Sequence, residues 1–209
     1  MNYLTKFAAT AAMVVAMTAP AMAEEVRSGN TYFRLSGGAL VIDDVDGKGA
    51  AAGSKISFDT GWVVSGAVGY NINPQIAVEA ELTYLTADFD TISVTGLGSV
   101  SADGDLSSFL TMVNANFHPM AGNSFDPYIG AGIGMAFSQL SLDAVGGVPV
   151  GVSTDSDDLA LQGNIGFDMN LGNGKKVGAQ YRYIWTDTSS NTADEITGHA
   201  LTLNFTAAF

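Results

Sequence analysis

The final nine residues, Leu201-Thr202-Leu203-Asn204-Phe205-Thr206-Ala207-Ala208-Phe209, place large apolar side chains at alternate positions. A period of two marks a β-strand with one greasy face. Seven earlier stretches carry the same period, so strands are expected at 31–42, 58–70, 75–86, 107–118, 127–138, 158–171, 176–186 and 197–209. Eight such strands with no edge to spare predict an all-β fold closed on itself, an eight-stranded antiparallel barrel over residues 31–209.

The chemistry of the two faces says which way the barrel is turned. One phase holds Phe33, Leu35, Trp62, Val64, Ile76, Leu82, Phe109, Ile133, Phe137, Leu161, Tyr183 and Leu203. The other is mostly Gly, Ser, Thr and Asn, with little of the Lys and Glu that a water-washed sheet carries. Arg34 and Arg182 fall in this second phase, as do Glu79, Glu81 and Asp168. A wall facing lipid produces that sorting, because an outward Arg or Lys at the bilayer midplane costs roughly 2–4 kcal/mol. Aromatics near strand ends (Phe33, Tyr70, Phe117 and Phe209 at one side, Trp62, Tyr84 and Trp185 at the other) predict two headgroup-level belts.

Residues 1–23 read as a secretory signal peptide: Lys6, an apolar run from Phe7 to Met17, then Ala21-Met22-Ala23 before Glu24. Residues 24–30 form a short periplasmic leader. No later run is apolar over about 18 residues, so no transmembrane helix is expected. Mean hydropathy is nevertheless positive at +0.22, as membrane strands of half-apolar residues require. Cysteine is absent, so closure of the barrel must replace disulfides.

Connections expected at 43–57, 87–106, 139–157 and 187–196 are long, and those at 71–74, 119–126 and 172–175 are short. Short turns at one end and long loops at the other are the transmembrane-barrel arrangement, with the short end periplasmic. The net charge of −13 argues against nucleic acid as a partner. Fourteen of the 21 acids lie in or at the border of the long loops, among them Asp43, Asp44, Asp46, Asp88, Asp103, Asp143, Asp155, Asp157, Asp158 and Asp187. Solubility of exposed loops is the plain account of them. No stretch has the spacing of a calcium loop, and no metal or cofactor is expected.

The candidate site is the lumen. Arg34, Glu79, Glu81, Asp168 and Arg182 point into an interior that side chains alone can fill. They are expected to pair with one another and with Tyr128, Gln162, Asn114, Asn116, Gln180 and Asn204, as a polar plug or as an ion gate. An enzyme is not expected: the two histidines are His118, before Pro119, and His199, with only Ser189 and Ser190 nearby in the preceding loop. Gly130-x-Gly132-x-Gly134 and Gly37-Gly38 lie in strands with no following helix, which excludes a phosphate loop and leaves relief of crowding.

Three segments carry a family resemblance: Gly69-Tyr70-Asn71-Ile72-Asn73-Pro74-Gln75-Ile76-Ala77-Val78-Glu79, Asn114-Ala115-Asn116-Phe117 and Asp126-Pro127-Tyr128-Ile129-Gly130-Ala131-Gly132-Ile133-Gly134. In these the chain resembles small outer-membrane β-barrel proteins related to the OmpA transmembrane domain and to proteobacterial surface antigens. The resemblance implies a barrel in the outer membrane of a Gram-negative bacterium, delivered to the barrel-assembly machinery through the strand ending in Phe209. It also implies that Arg and Glu inside the barrel pair. Thr206-Ala207-Ala208 departs from the aromatic-basic-aromatic pattern usual before that Phe. The expected role is structural or at the surface, with outer-membrane lipid and lipopolysaccharide as partners, the latter bridged to acidic loops by divalent cations. A narrow porin-like channel and a soluble secreted barrel with an apolar cavity are the alternatives.

Overall fold

Eight long strands and two short ones make up the computed structural model, which describes residues 30–47, 53–94, 98–145, 147–187 and 195–209. The expected signal peptide, the leader up to residue 29, and Ser189 and Ser190 lie outside these residues. The strands are β1 Thr31–Ile42, β2 Val45–Asp46, β3 Ser54–Phe58, β4 Gly61–Asn73, β5 Ile76–Val94, β6 Gly98–Phe117, β7 Phe125–Val145, β8 Val148–Gly172, β9 Lys175–Asp187 and β10 Ile196–Ala208. The eight long ones form an antiparallel ring in the order β1-β4-β5-β6-β7-β8-β9-β10 and back to β1. At the seam, Thr31 Oγ1 donates to the Phe209 carbonyl at 2.9 Å and Phe209 N–H donates to the Thr31 carbonyl at 3.0 Å.

Two of the short connections are tight turns. Asn173 and Gly174 sit at φ of 52° and 70°, the left-handed pair that a two-residue hairpin of matching twist needs. Asn73 Oδ1 accepts from the backbone N–H groups of Gln75 and Ile76 at 2.8 and 2.9 Å, turning the chain at Pro74. Gly38 answers a different need: a Cβ there would lie 1.9 Å from the Leu201 carbonyl oxygen, so only glycine lets β1 and β10 approach so closely.

The long connections differ from the expectation. Residues 87–106 and 139–157, read as loops, are largely strand: β5 and β6 continue past the barrel as one arm, β7 and β8 as another, with pairs such as Ile92↔Val100 and Ser141↔Ser153. β3 adds to the outer edge of β5, and β2 to β3. The reason is physical. Beyond the bilayer both faces of a strand meet water, so Ser, Thr and Asp fill both phases and the period of two vanishes from hydropathy.

The walls are oriented as a membrane barrel requires. Leu203 is 74 %, Trp62 49 % and Ile76 40 % exposed, whereas Arg34 is 3 % exposed. That inside-out distribution overturns the soluble ligand-binding alternative, whose apolar residues would crowd the centre. Phe33 packs beside Phe205 with ring centroids 6.2 Å apart, and Trp62, Tyr84 and Phe109 form a chain of rings at 5.3 and 4.7 Å. Phe137 is an exception to the expected outward set. It keeps the outward phase between Phe109 and Asp157, yet is buried.

Candidate functional site

Side chains inside the barrel fall in four layers. Nearest the short turns, His118 Nδ1 lies 3.1 Å from Asp126 Oδ1, and Lys176 Nζ donates to Asp126 Oδ2 at 2.9 Å. His118 stacks on Tyr128 with centroids 5.0 Å apart. Two open recesses of about 470 and 340 Å³ surround these groups, and the second reaches Tyr32, Arg34 and Asp168. The sequence reading placed His118 at a turn and did not connect it to Asp126.

The next layer is built on Arg34. Its Nη2 donates to Asp168 at 3.1 Å and its Nη1 to the Tyr128 hydroxyl at 2.8 Å. Its Nε is 3.1 Å from Glu79 Oε1, an ion pair without an aligned hydrogen bond. Glu79 is instead held by the Tyr32 hydroxyl, which donates to it at 2.7 Å. Asn204 completes the layer by donating to Tyr128 at 3.1 Å.

Above it Arg182 pairs with Glu81. The guanidinium also donates to Gln180 at 3.1 Å and Ser65 at 3.1 Å. Asn114 donates to the second Glu81 oxygen at 2.6 Å, and Gln162 donates to Asn114 at 3.3 Å. The five expected lumen residues thus fall in two adjacent networks, Arg34–Glu79–Asp168 and Arg182–Glu81. Asn116, expected among the partners, keeps its Oδ1 unpaired among the described residues. Tyr32, Ser36, Ser65 and Thr83 join the networks without having been anticipated.

Towards the long hairpins the lumen turns apolar, which corrects the expectation of a polar interior throughout. Leu40, Ile42, Val63, Leu85, Leu106, Leu110, Met112 and Ile184 pack there as a buried cluster. They leave a cavity of about 30 Å³, room for water but for nothing larger. The signal was present: Ala39-Leu40-Val41-Ile42, Phe109-Leu110 and Tyr183-Ile184-Trp185 break the alternation, as strands buried on both faces do.

His199 stands on the outside of β10. Its Nδ1 is 2.6 Å from the Tyr181 hydroxyl and its Nε2 is 3.3 Å from Asp43 Oδ2, with the Tyr183 ring 5.3 Å away. This is an aromatic and polar contact at the upper rim of the wall.

A closed eight-stranded barrel, greasy without and ion-paired within, defines a membrane-spanning β-barrel of the outer-membrane type. The chain belongs to the outer membrane protein beta-barrel domain family, whose family model matches residues 9–209, and with that family goes an outer-membrane location. Its fold is similar to that of the neisserial surface protein NspA (TM-score 0.59, 15% identity, 88% of this chain and 99% of that one). It is similar also to OprG from Pseudomonas aeruginosa (0.57, 16%, 88% and 98%) and to the outer membrane protease OmpT from Escherichia coli (0.58, 12%, 89% and 99%). At these identities the likeness is one of fold. No curated protein matches the chain.

Proposed function

We propose that this protein is a sealed, non-enzymatic surface barrel: its short turns face the periplasm and its long acidic hairpins face outward. One observation carries the reading. The lumen is closed twice, by the ion-paired layers around Arg34 and Arg182 and by the apolar layer of Leu40, Leu85, Leu110 and Ile184. An ion entering from the short-turn end meets two guanidiniums and three carboxylates already paired with one another, and beyond them an apolar stretch of low dielectric. The non-enzymatic part of the reading is supported by His199, whose polar contacts among the described residues are a phenol and a carboxylate.

Planar-bilayer recording of the purified protein tests it. The native barrel is expected to give no resolved conductance steps. Arg34→Ala with Arg182→Ala leaves the apolar layer closed, and Leu110→Ser with Leu85→Ser leaves the ion pairs closed. Only the combined variant conducts. Steady openings of the native protein would replace this reading with a narrow channel.

A further inference from the structure

β8 is the longest strand, and only part of it has neighbours on both sides. It pairs with β7 over Val148–Met169 but with β9 only over Leu159–Gly172. Above Leu159, therefore, no described strand lies along its other side. The opposite margin of the projecting sheet is covered: β3 pairs with β5 from Ser54↔Val94 to Phe58↔Phe89, and Lys55 there neutralises Asp44 at 2.6 Å. The tip of β8 is unsuited to pairing. Pro149 lacks an N–H, and Gly151, at φ +59°, sits where the register shifts between Leu142 and Ala144. What remains is the regular run Val152–Ser156, exposed through Asp155 and half-buried at Ser156, ending just above the last pair that β9 makes, Leu159↔Asp187.

The charge on that run selects what suits it. Asp155 and Asp157 are both exposed and, two residues apart, share one face of the sheet. Of the eight Lys and Arg in the chain, Arg34 and Arg182 are sunk in the lumen, and Lys175 and Lys176 lie at the opposite end of the barrel. A second copy pairing here would bring acids against acids, which opposes association. A strand bearing cations at alternate positions would meet complementary charge and a row of backbone donors and acceptors together.

We propose that Val152–Ser156 of β8 is a docking edge for an extended basic segment of a partner protein, which adds as a strand above β9 with Lys or Arg on the face of the sheet that Asp155 and Asp157 share. The proposal concerns the sheet and does not depend on whether the lumen is sealed.

The test uses the full-length protein in lipid nanodiscs and a synthetic peptide of alternating lysine and threonine. Binding is expected to slow amide exchange at alternate residues of Val152–Ser156. Two versions of the peptide, N-methylated on alternate residues in the two possible phases, separate strand addition from plain charge attraction. One phase must lose binding and the other keep it, because only one row of peptide N–H groups faces β8. Asp155→Asn with Asp157→Asn should weaken the peptide roughly threefold to tenfold, while heat-modifiable gel mobility, a measure of barrel closure, stays unchanged. Equal behaviour of the two methylated peptides would overturn the proposal. So would slow exchange, in the free protein, of those amides of Val152–Ser156 that point away from β7, whether this chain's connection to β10 or a second copy covers the edge.

Discussion

The guanidinium of Arg182 on β9 meets the carboxylate of Glu81 on β5 inside the barrel, 101 residues away along the chain and almost fully out of water. Removing either partner strands the other charge, which costs about 3–5 kcal/mol. Glu81→Gln should therefore lower the denaturant midpoint of the lipid-reconstituted barrel sharply. The double variant Glu81→Met with Arg182→Met should recover most of the loss, because two apolar chains of similar volume leave no unpaired charge. Unfolding titrations of the parent, Glu81→Met, Arg182→Met and the double variant, read by heat-modifiable mobility, give the coupling directly.

Leu203, in the outward phase of β10 and 74 % exposed, tests the lipid-facing wall. Leu203→Arg is expected to destabilise the reconstituted barrel by roughly 2–4 kcal/mol. Ser153→Arg, on the projecting part of β8, should stay within about 0.5 kcal/mol. Equal effects in lipid would mean that the two positions share a solvent.

Gly38 and Gly37 are adjacent and should behave oppositely. A Cβ at Gly38 would lie 2.7 Å from the Thr202 Cα as well as against Leu201, and backbone cannot step aside. At Gly37 the nearest atoms are 3.8 Å away. Gly38→Ala should cost about 1–3 kcal/mol through overpacking at the seam and reduce the fraction of refolded protein that closes. Gly37→Ala should refold like the parent.

The Asp44–Lys55 pair gives β2 and β3 a pH dependence of known sign. The hydrogen bond from the Lys55 ammonium holds the Asp44 carboxyl below the usual carboxylate range. A depressed folded value stabilises at pH above the unfolded value, about 3.9, and the gain is lost as pH falls through the lower folded one. The pair is exposed, so the effect is small and local. A carboxyl-carbon titration should place Asp44 below its ordinary midpoint, and Lys55→Gln should return it upward.

Much of this architecture is legible in the residues, and the parts that are not share a cause. Leu201, Leu203 and Phe205 announce an outward face because their neighbours Thr202 and Asn204 are polar, and the inward phase of Arg34 and Arg182 follows from the same rule. Leu40, Leu110 and Ile184 are hidden from that rule: a strand greasy on both sides has no contrast to read. Ser141 and Ser153 are hidden for the converse reason, being polar on both sides. The ion-pair partners depend on ring order, which no single strand carries. Glu79 and Glu81, two residues apart on one face, divide between Arg34 and Arg182 according to how β1 and β9 lie around the lumen. The Lys176–Asp126–His118 contact is likewise formed by neighbouring turns that sequence separates by 50 and 8 residues.

The bond pair between Thr31 and Phe209 gives the cylinder a zip with its final tooth at the carboxyl terminus. Until that last strand is delivered, β1 has β4 on one flank and a bare ladder of amides on the other, intolerable in hydrocarbon. Each molecule must therefore pass through an open-sided form before β10 arrives between β9 and β1. Sealing is a single event: within the bilayer the arrival of β10 removes the free margins of β1 and β9 together.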